Sequence, residues 1–540
     1  MRPLAVLFAL LVPQIALAQT PGPRIFYTDL ESGPGTGGES NLGAFVTIVG
    51  RGFGATQAGS AVTVGGGPVG AYRSWSNTEV VVQLGPSART GSLVLRTAGG
   101  TSNGVPVTVR PGGIYFVAMG GSDSNPGSFQ APWATIVHAK NAIAAGDIVY
   151  IRDGVSQSAE DNYGAALSVE TSGAEGSPKA LVAYPGAVVT VGSTAPGMMG
   201  LRIPNLGIPA SDWVIAGIRF LGEVNAIELG ATGSTRWRVA RNDISCPLGD
   251  GQTGCFAASQ TTFVAFLGNQ VHDVSSAGPQ PSKQYHAVYF TTDSNHVEVG
   301  HNHIHDSRTC RAIQFHSSPL CAPDCGSADT TGFNQYDLVV HDNLVDGDVC
   351  DGINFATVDP SRGPVQAYNN VILRTGQGPD PPDGSANYAG IYVAAGTNNG
   401  ADGTGTVEIF NNTLYANGTA GGVDAGQIAR GPGSPGLVMS LRNNIVYSVA
   451  GEDYLAPATD TGGVAGANNL FFGDGAAPSF LSNNVEDDPD FVDAAAGNFH
   501  LLGTSPALNA AAAPVPAADF DGVPRPQGAG SELGAYELPQ

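Results

Sequence analysis

The chain has 540 residues, of which 46 are acidic and 23 basic, for a formal net charge of −23; 42% of residues are hydrophobic and 76 are glycine. This balance argues against long-range steering of nucleic acid and suits a large, turn-rich β protein kept soluble by Asp and Glu. After the first 18 residues no stretch reaches the roughly 18 apolar residues of a membrane-spanning helix, which argues against membrane insertion.

Residues 1–18 have the layout of a signal peptide: a positive Arg2, an apolar run over 4–12, and Ala16-Leu17-Ala18 as the cleavage site before Gln19. The mature protein is therefore expected to be secreted, extracellular or periplasmic. Residues 24–110 carry short alternating strands such as Ala44-Phe45-Val46-Thr47-Ile48-Val49 and Ser92-Leu93-Val94-Leu95-Arg96 between Gly-rich turns, predicting a small immunoglobulin-like β-sandwich. Gly50-Arg51-Gly52-Phe53-Gly54, Val62-Thr63-Val64-Gly65, Trp75-Ser76-Asn77-Thr78 and Thr101-Ser102-Asn103-Gly104 resemble the IPT/TIG domain family, which implies a spacer or a binding module.

A new pattern opens at Ile114-Tyr115-Phe116-Val117 and continues through Ala131-Pro132-Trp133-Ala134-Thr135-Ile136 and Asp147-Ile148-Val149-Tyr150-Ile151. It resembles the start of pectate-lyase-like right-handed parallel β-helix proteins. That resemblance implies a short capping helix at about 135–145 over the open end of the first coil, where apolar core and strand edges would otherwise be exposed. An Asn-x-apolar triplet then recurs at Asn242, Asn269, Asn302, Asn343, Asn370, Asn412, Asn444 and Asn469, at spacings of 27, 33, 41, 27, 42, 32 and 25 residues. These are solenoid periods, so residues 114–500 are expected to form roughly ten stacked coils with the asparagines in an inward ladder. Residues 501–540 are read as a C-terminal cap, with Asp487 and Asp488 in a turn leading to it.

Three segments align on consecutive coils: His286-Ala287-Val288-Tyr289-Phe290, Arg311-Ala312-Ile313-Gln314-Phe315 and Asp351-Gly352-Ile353-Asn354-Phe355. Alternation sends Tyr289, Gln314 and Asn354 outward in one column. His286, Arg311 and Asp351 form a second column, and Lys283, Arg308 and Asp348 a third, on coils about 4.8 Å apart. Of only three lysines, Lys140 and Lys179 are expected at the surface and Lys283 in this groove. His316 points outward two residues beyond Gln314. The other histidines scatter over different faces, as a polar surface does, and do not suggest a metal centre.

All six cysteines lie between Cys246 and Cys350, and an exported chain favours disulfides over metal. The coil alignment sets Cys310 beside Cys350, leaving Cys246 with Cys255 and Cys321 with Cys325.

The groove resembles that of β-helix polysaccharide lyases and C5-epimerases, in which a base removes the C5 proton of a uronic acid while Arg or calcium neutralises the carboxylate. The resemblance implies Lys283 or His286 as base, Arg308 and Arg311 on the carboxylate, Tyr289 as acid, and Gln314, His316 and Asn354 as substrate-binding residues. The acidic calcium ligands expected before the lysine of family 6 lyases are missing; Asp348 and Asp351 are the candidate oxygen ligands for a calcium ion. The implied partner is an acidic polysaccharide, met by a monomer whose Lys283 and Arg311 can be replaced without loss of folding. An inverting hydrolase built on Asp346, Asp348 and Asp351 ranks lower because no Gly-His-Gly motif is present. A non-catalytic carbohydrate-binding or adhesive protein is the serious rival.

Overall fold

The structure is a computed structural model, and it describes residues 22–539 except 205–206, 231, 318–333, 395–402, 434 and 450. The signal peptide, Cys321 and Cys325 lie outside the described residues. Strands Arg24–Thr28 to Val105–Val109 form a sandwich of a four-stranded and a six-stranded sheet. The chain then winds into a right-handed parallel β-helix whose three parallel sheets hold twelve, eleven and nine strands among the described residues, close to the expected ten coils.

One coil shows how sequence sets the winding. Val297–Gly300 lies in the twelve-stranded sheet, His303–His305 in the eleven-stranded sheet and Arg311–His316 in the nine-stranded sheet. Between the first two strands the chain turns through His301, at a left-handed φ of 56°, and places Asn302 inward. The Asn302 amide nitrogen donates to Asn343 Oδ1 at 2.9 Å and to the Phe266 carbonyl at 2.9 Å, and its own Oδ1 accepts from Asn269. The same exchange runs from Asn242 through Asn469, at all eight positions of the repeat. Inside the coil, Phe256, Phe290, Phe315 and Phe355 continue the column as an aromatic stack, with neighbouring centroids about 5.4 Å apart.

The helix Ile136–Ala142 is started by Thr135, whose hydroxyl accepts from the His138 amide at 3.1 Å, and it buries Ile136 and Ala139 on the first coil. Lys140 and Lys179 are not surface residues. Lys140 pairs with Asp161 at 2.9 Å, and Lys179 donates to Thr171 at 2.9 Å beside the Trp213 ring; both are buried because the open first coils recruit long stems to cover apolar edges.

The sandwich shares a core with the solenoid: Phe45, Ile48 and Val82 pack with Ile148, Tyr150 and Val182. The Tyr150 hydroxyl donates to the Phe45 carbonyl at 3.0 Å, while Arg238 donates to the carbonyls of Asp29 and Thr28 and pairs with Glu31 at 2.7 Å. At the other end, Leu481 to Val485 lie on the last coil. The segment beyond straps back over the eleven-stranded sheet, where Phe499 and Tyr536 cover Val371 and Leu373.

Candidate active site

Two of the three expected columns exist. Strand pairing places His286 opposite Arg311 and Arg311 opposite Asp351, and it aligns Tyr289, Gln314 and Asn354. They do not stand on an open surface, however. Asp351 is fully buried, Asn354 is 1% exposed and His286 3%, because the loops that precede these strands fold over them. The result is a groove of about 810 Å³ with Lys283, His286, Tyr289, Arg311, Gln314, His316 and Asn354 among its walls.

The third column does not form. Lys283 belongs to a long loop, between His272 and His286, that has no counterpart in the next coil, where only a short turn separates His305 from Arg311. Its backbone amide donates to Asp383 at 2.8 Å and its ammonium reaches the Ser385 carbonyl at 3.5 Å, which sets it at the groove rim. Arg308 is exposed and donates to the Gly278 carbonyl at 3.1 Å; with Asp348 it lines a separate depression. Arg308 therefore leaves the proposed machinery.

Arg311 sits at the centre. Its Nε approaches Asp351 Oδ2 at 3.3 Å and its Nη1 donates to the Lys283 carbonyl at 2.8 Å, leaving Nη2 without a protein partner among the described residues. Asp351 in turn accepts from Asn354 Nδ2 at 2.7 Å and from the Ala389 amide at 3.1 Å. Burial raises the Asp351 carboxyl to about 6, with Arg311 pulling it back down. Replacing Arg311 by Ala would strip a buried carboxylate of its cation, so the expectation that folding is indifferent to this residue does not hold.

Beside Arg311, burial pushes the His286 imidazole well below the usual histidine range, reinforced by the Arg311 and His316 charges. It is a neutral ring, with Nδ1 buried and unpartnered, stacked edge-on to Tyr289 at 4.7 Å. The Tyr289 hydroxyl lies 3.3 Å from His316 Nδ1, and burial followed by Arg311 holds His316 at about 4. Gln314 Oε1 and Asn354 Oδ1 are also buried without a protein partner. Three buried polar atoms of one groove wall are thus left without a protein partner.

The calcium expectation does not fit these residues. Both Asp351 oxygens already accept protein hydrogen bonds, a guanidinium lies against one of them, and the buried Asp348 is engaged by Thr309 and the Val349 amide at 2.7 Å. A calcium ion needs six to eight free oxygens. The hydrolase alternative also loses its residues, since Asp346 pairs with Arg374 away from the groove, where Glu228 is the only lining carboxylate among the described residues. Glu228 and Tyr392 were missed. Extending the strand alignment one coil forward and two coils back would have found both, because Tyr392 pairs with Asn354, and Glu228 pairs with Ala257, which in turn pairs with Tyr289. Disulfides join Cys310 to Cys350, on adjacent coils at a Cα separation of 4.4 Å, and Cys246 to Cys255.

The IPT/TIG domain family matches residues 33–130, a span that runs past the last sandwich strand into the first coil. Among solved structures, the chain is similar to the pectate lyase Pel9A at 14% identity and a TM-score of 0.51, over 78% of this chain and 96% of that one. The fold is that of a pectate-lyase-like β-helix behind a TIG domain. Weaker likenesses are to XylC, solved with xylose (10% identity, TM-score 0.46, 79% and 98% covered), and to a family 28 exopolygalacturonase of Yersinia enterocolitica (11%, 0.38, 86% and 99%). No curated protein matches the sequence. Among the described residues no helix is long and apolar enough to cross a membrane.

Proposed function

We propose that this pectate-lyase-like β-helix is an exported polysaccharide lyase that cleaves beside a uronic-acid residue. One observation carries the reading: a guanidinium anchored from behind by a buried carboxylate, with one nitrogen free among the described residues, lies one coil from a neutral unpartnered histidine that packs edge-on against a tyrosine in the groove lining. Arg311, with Lys283 at the rim, binds the uronate carboxylate and makes the C5 proton acidic. His286 takes that proton, and the electron pair left on C5 is held as the enolate. It then forms the C4–C5 double bond as the C4–O4 bond breaks, and Tyr289 gives the leaving oxygen its proton. Solvent removes the proton from His286 and restores that of Tyr289. Return of the proton to the opposite face of C5 would give epimerisation at the same site.

Among the described residues the groove lining contains two cations, Lys283 and Arg311, and one carboxylate, Glu228, which is paired with Arg202 at 2.7 Å. This favours a polymer that presents one carboxylate at a time over a continuous polyuronate. Incubation with glucuronate-containing heteropolysaccharides, glycosaminoglycans, pectate and alginate, with and without calcium, should yield ultraviolet-absorbing unsaturated uronyl ends, most readily from the first two. His286→Gln and Arg311→Lys should each lower the rate about 10²-fold or more. If no polymer gives unsaturated ends or C5 inversion, yet one is retained on an affinity gel, a carbohydrate-binding module replaces the lyase.

A further inference from the structure

The seam between the sandwich and the solenoid gathers residues that the groove does not use. His301 and Asp342 are at the same left-handed turn position on adjacent coils, and His341 precedes Asp342. The three offer donor atoms that all lie within 4.8 Å of one another. His341 Nδ1 is 2.7 Å from Asp342 Oδ2 and His301 Nε2 is 3.9 Å from the same oxygen, with the two imidazoles edge to face at 5.3 Å. His341 ends a strand and His301 begins the turn on the adjacent coil, which brings the two imidazoles together.

Each donor is also held from behind. Glu298 Oε1 lies 3.1 Å from His341 Nε2 and would keep a proton on that nitrogen, so the proton that faces Asp342 from Nδ1 is the one an ion would displace. Asn369 Nδ2 donates to Asp342 Oδ1 at 3.1 Å, leaving Oδ2 for the two imidazoles. Phe26 of the sandwich stacks on His301 at 5.0 Å with the rings 7° from parallel. His301 and Asp342 face a cleft of about 450 Å³ between the sandwich, the solenoid and the C-terminal strap.

We propose that His301 Nε2, His341 Nδ1 and Asp342 Oδ2 bind one divalent transition-metal ion, for which zinc is the best match, with a fourth position open to the cleft. Two imidazoles and one carboxylate about 2.0–2.2 Å from the ion are an ordinary zinc set, and a carboxylate behind a ligating histidine is the usual orienting partner. Calcium, which takes oxygen ligands, is a poor match. Because His301 is stacked on Phe26, the ion would pin the sandwich to the solenoid.

Calorimetric titration of the full chain, stripped with chelator, should show one zinc ion per molecule, and cobalt(II) in its place should give visible bands shifted by imidazole ligation. His301→Gln and Asp342→Asn should each weaken zinc binding about tenfold or more, whereas His272→Gln, at a stacked pair on another face, should not. Should either ligand variant fail to fold, a zinc-dependent rise in the melting temperature of the wild type, together with the cobalt bands, decides the matter. Absence of zinc binding, or binding that survives both ligand substitutions, overturns the site and leaves an ion-paired histidine.

Discussion

Two columns of buried side-chain amides run along this solenoid, and they differ in one respect. Along the asparagine ladder each Oδ1 from Asn269 to Asn469 accepts twice and each Nδ2 from Asn242 to Asn444 donates to a carbonyl and to the next asparagine, so these groups are satisfied. In the groove, Gln314 and Asn354 lie on consecutive coils of another sheet with their carbonyl oxygens buried and unpartnered, beside an equally unpartnered His286 nitrogen. An unpaired buried acceptor costs about 1–3 kcal/mol, so the second column holds the fold less well than it could. A saturated ladder builds structure, whereas an unsaturated one reserves its hydrogen bonds for something that arrives.

The largest effect expected from breaking this contrast is at Asn343. Asn343→Ala removes the acceptor of the Asn302 backbone N–H and of one of its two Nδ2 hydrogens and opens a gap in the ladder, and should cost about 3 kcal/mol or more in denaturant unfolding, with activity per folded molecule unchanged. A loss below about 1 kcal/mol would show that the ladder is not a structural spine.

A smaller, pH-dependent effect is expected at Asp351. Its folded carboxyl titrates near 6, above the unfolded value, so the stabilisation from the protonated form is complete below about pH 4 and is lost as the pH rises through 6. Asp351→Asn cannot titrate; its stability relative to wild type should therefore be lowest below pH 4 and rise by about 2 kcal/mol by pH 7. A pH-independent difference would mean that Asp351 titrates in the folded protein as it does in the unfolded chain.

The smallest effect on stability belongs to the groove amide. Gln314→Met removes an unpaired oxygen while keeping the volume, and should shift stability by less than about 1 kcal/mol while raising KM for the polymer. Destabilisation as large as that of Asn343→Ala would make the two columns equivalent and remove the contrast.

Much of the solenoid was legible because its signals are local. The Asn-x-apolar triplet, repeated at solenoid spacing, marks one turn of each coil from Asn242 to Asn469, and the alternation around Ile313 and Ile353 fixes the strand register that brings Cys310 to Cys350. Two of the three functional columns followed from that register. The third did not, because Lys283, Arg308 and Asp348 lie in loops of unequal length, where equal offsets from a strand do not mean equal positions in space.

The sequence by itself determined the period, the inward asparagines, the sandwich ahead of the coils and the neighbourhood of Arg311, since each depends on residue order within one coil or its neighbours. Only the tertiary structure decided that the loops roof the groove, that Lys140 and Lys179 are buried, and that Asp351 anchors Arg311 and does not offer itself to calcium. It alone joined His301, His341 and Asp342 beneath Phe26. These outcomes depend on contacts between segments far apart in the chain and on how far each loop reaches, and no spacing along the sequence records that.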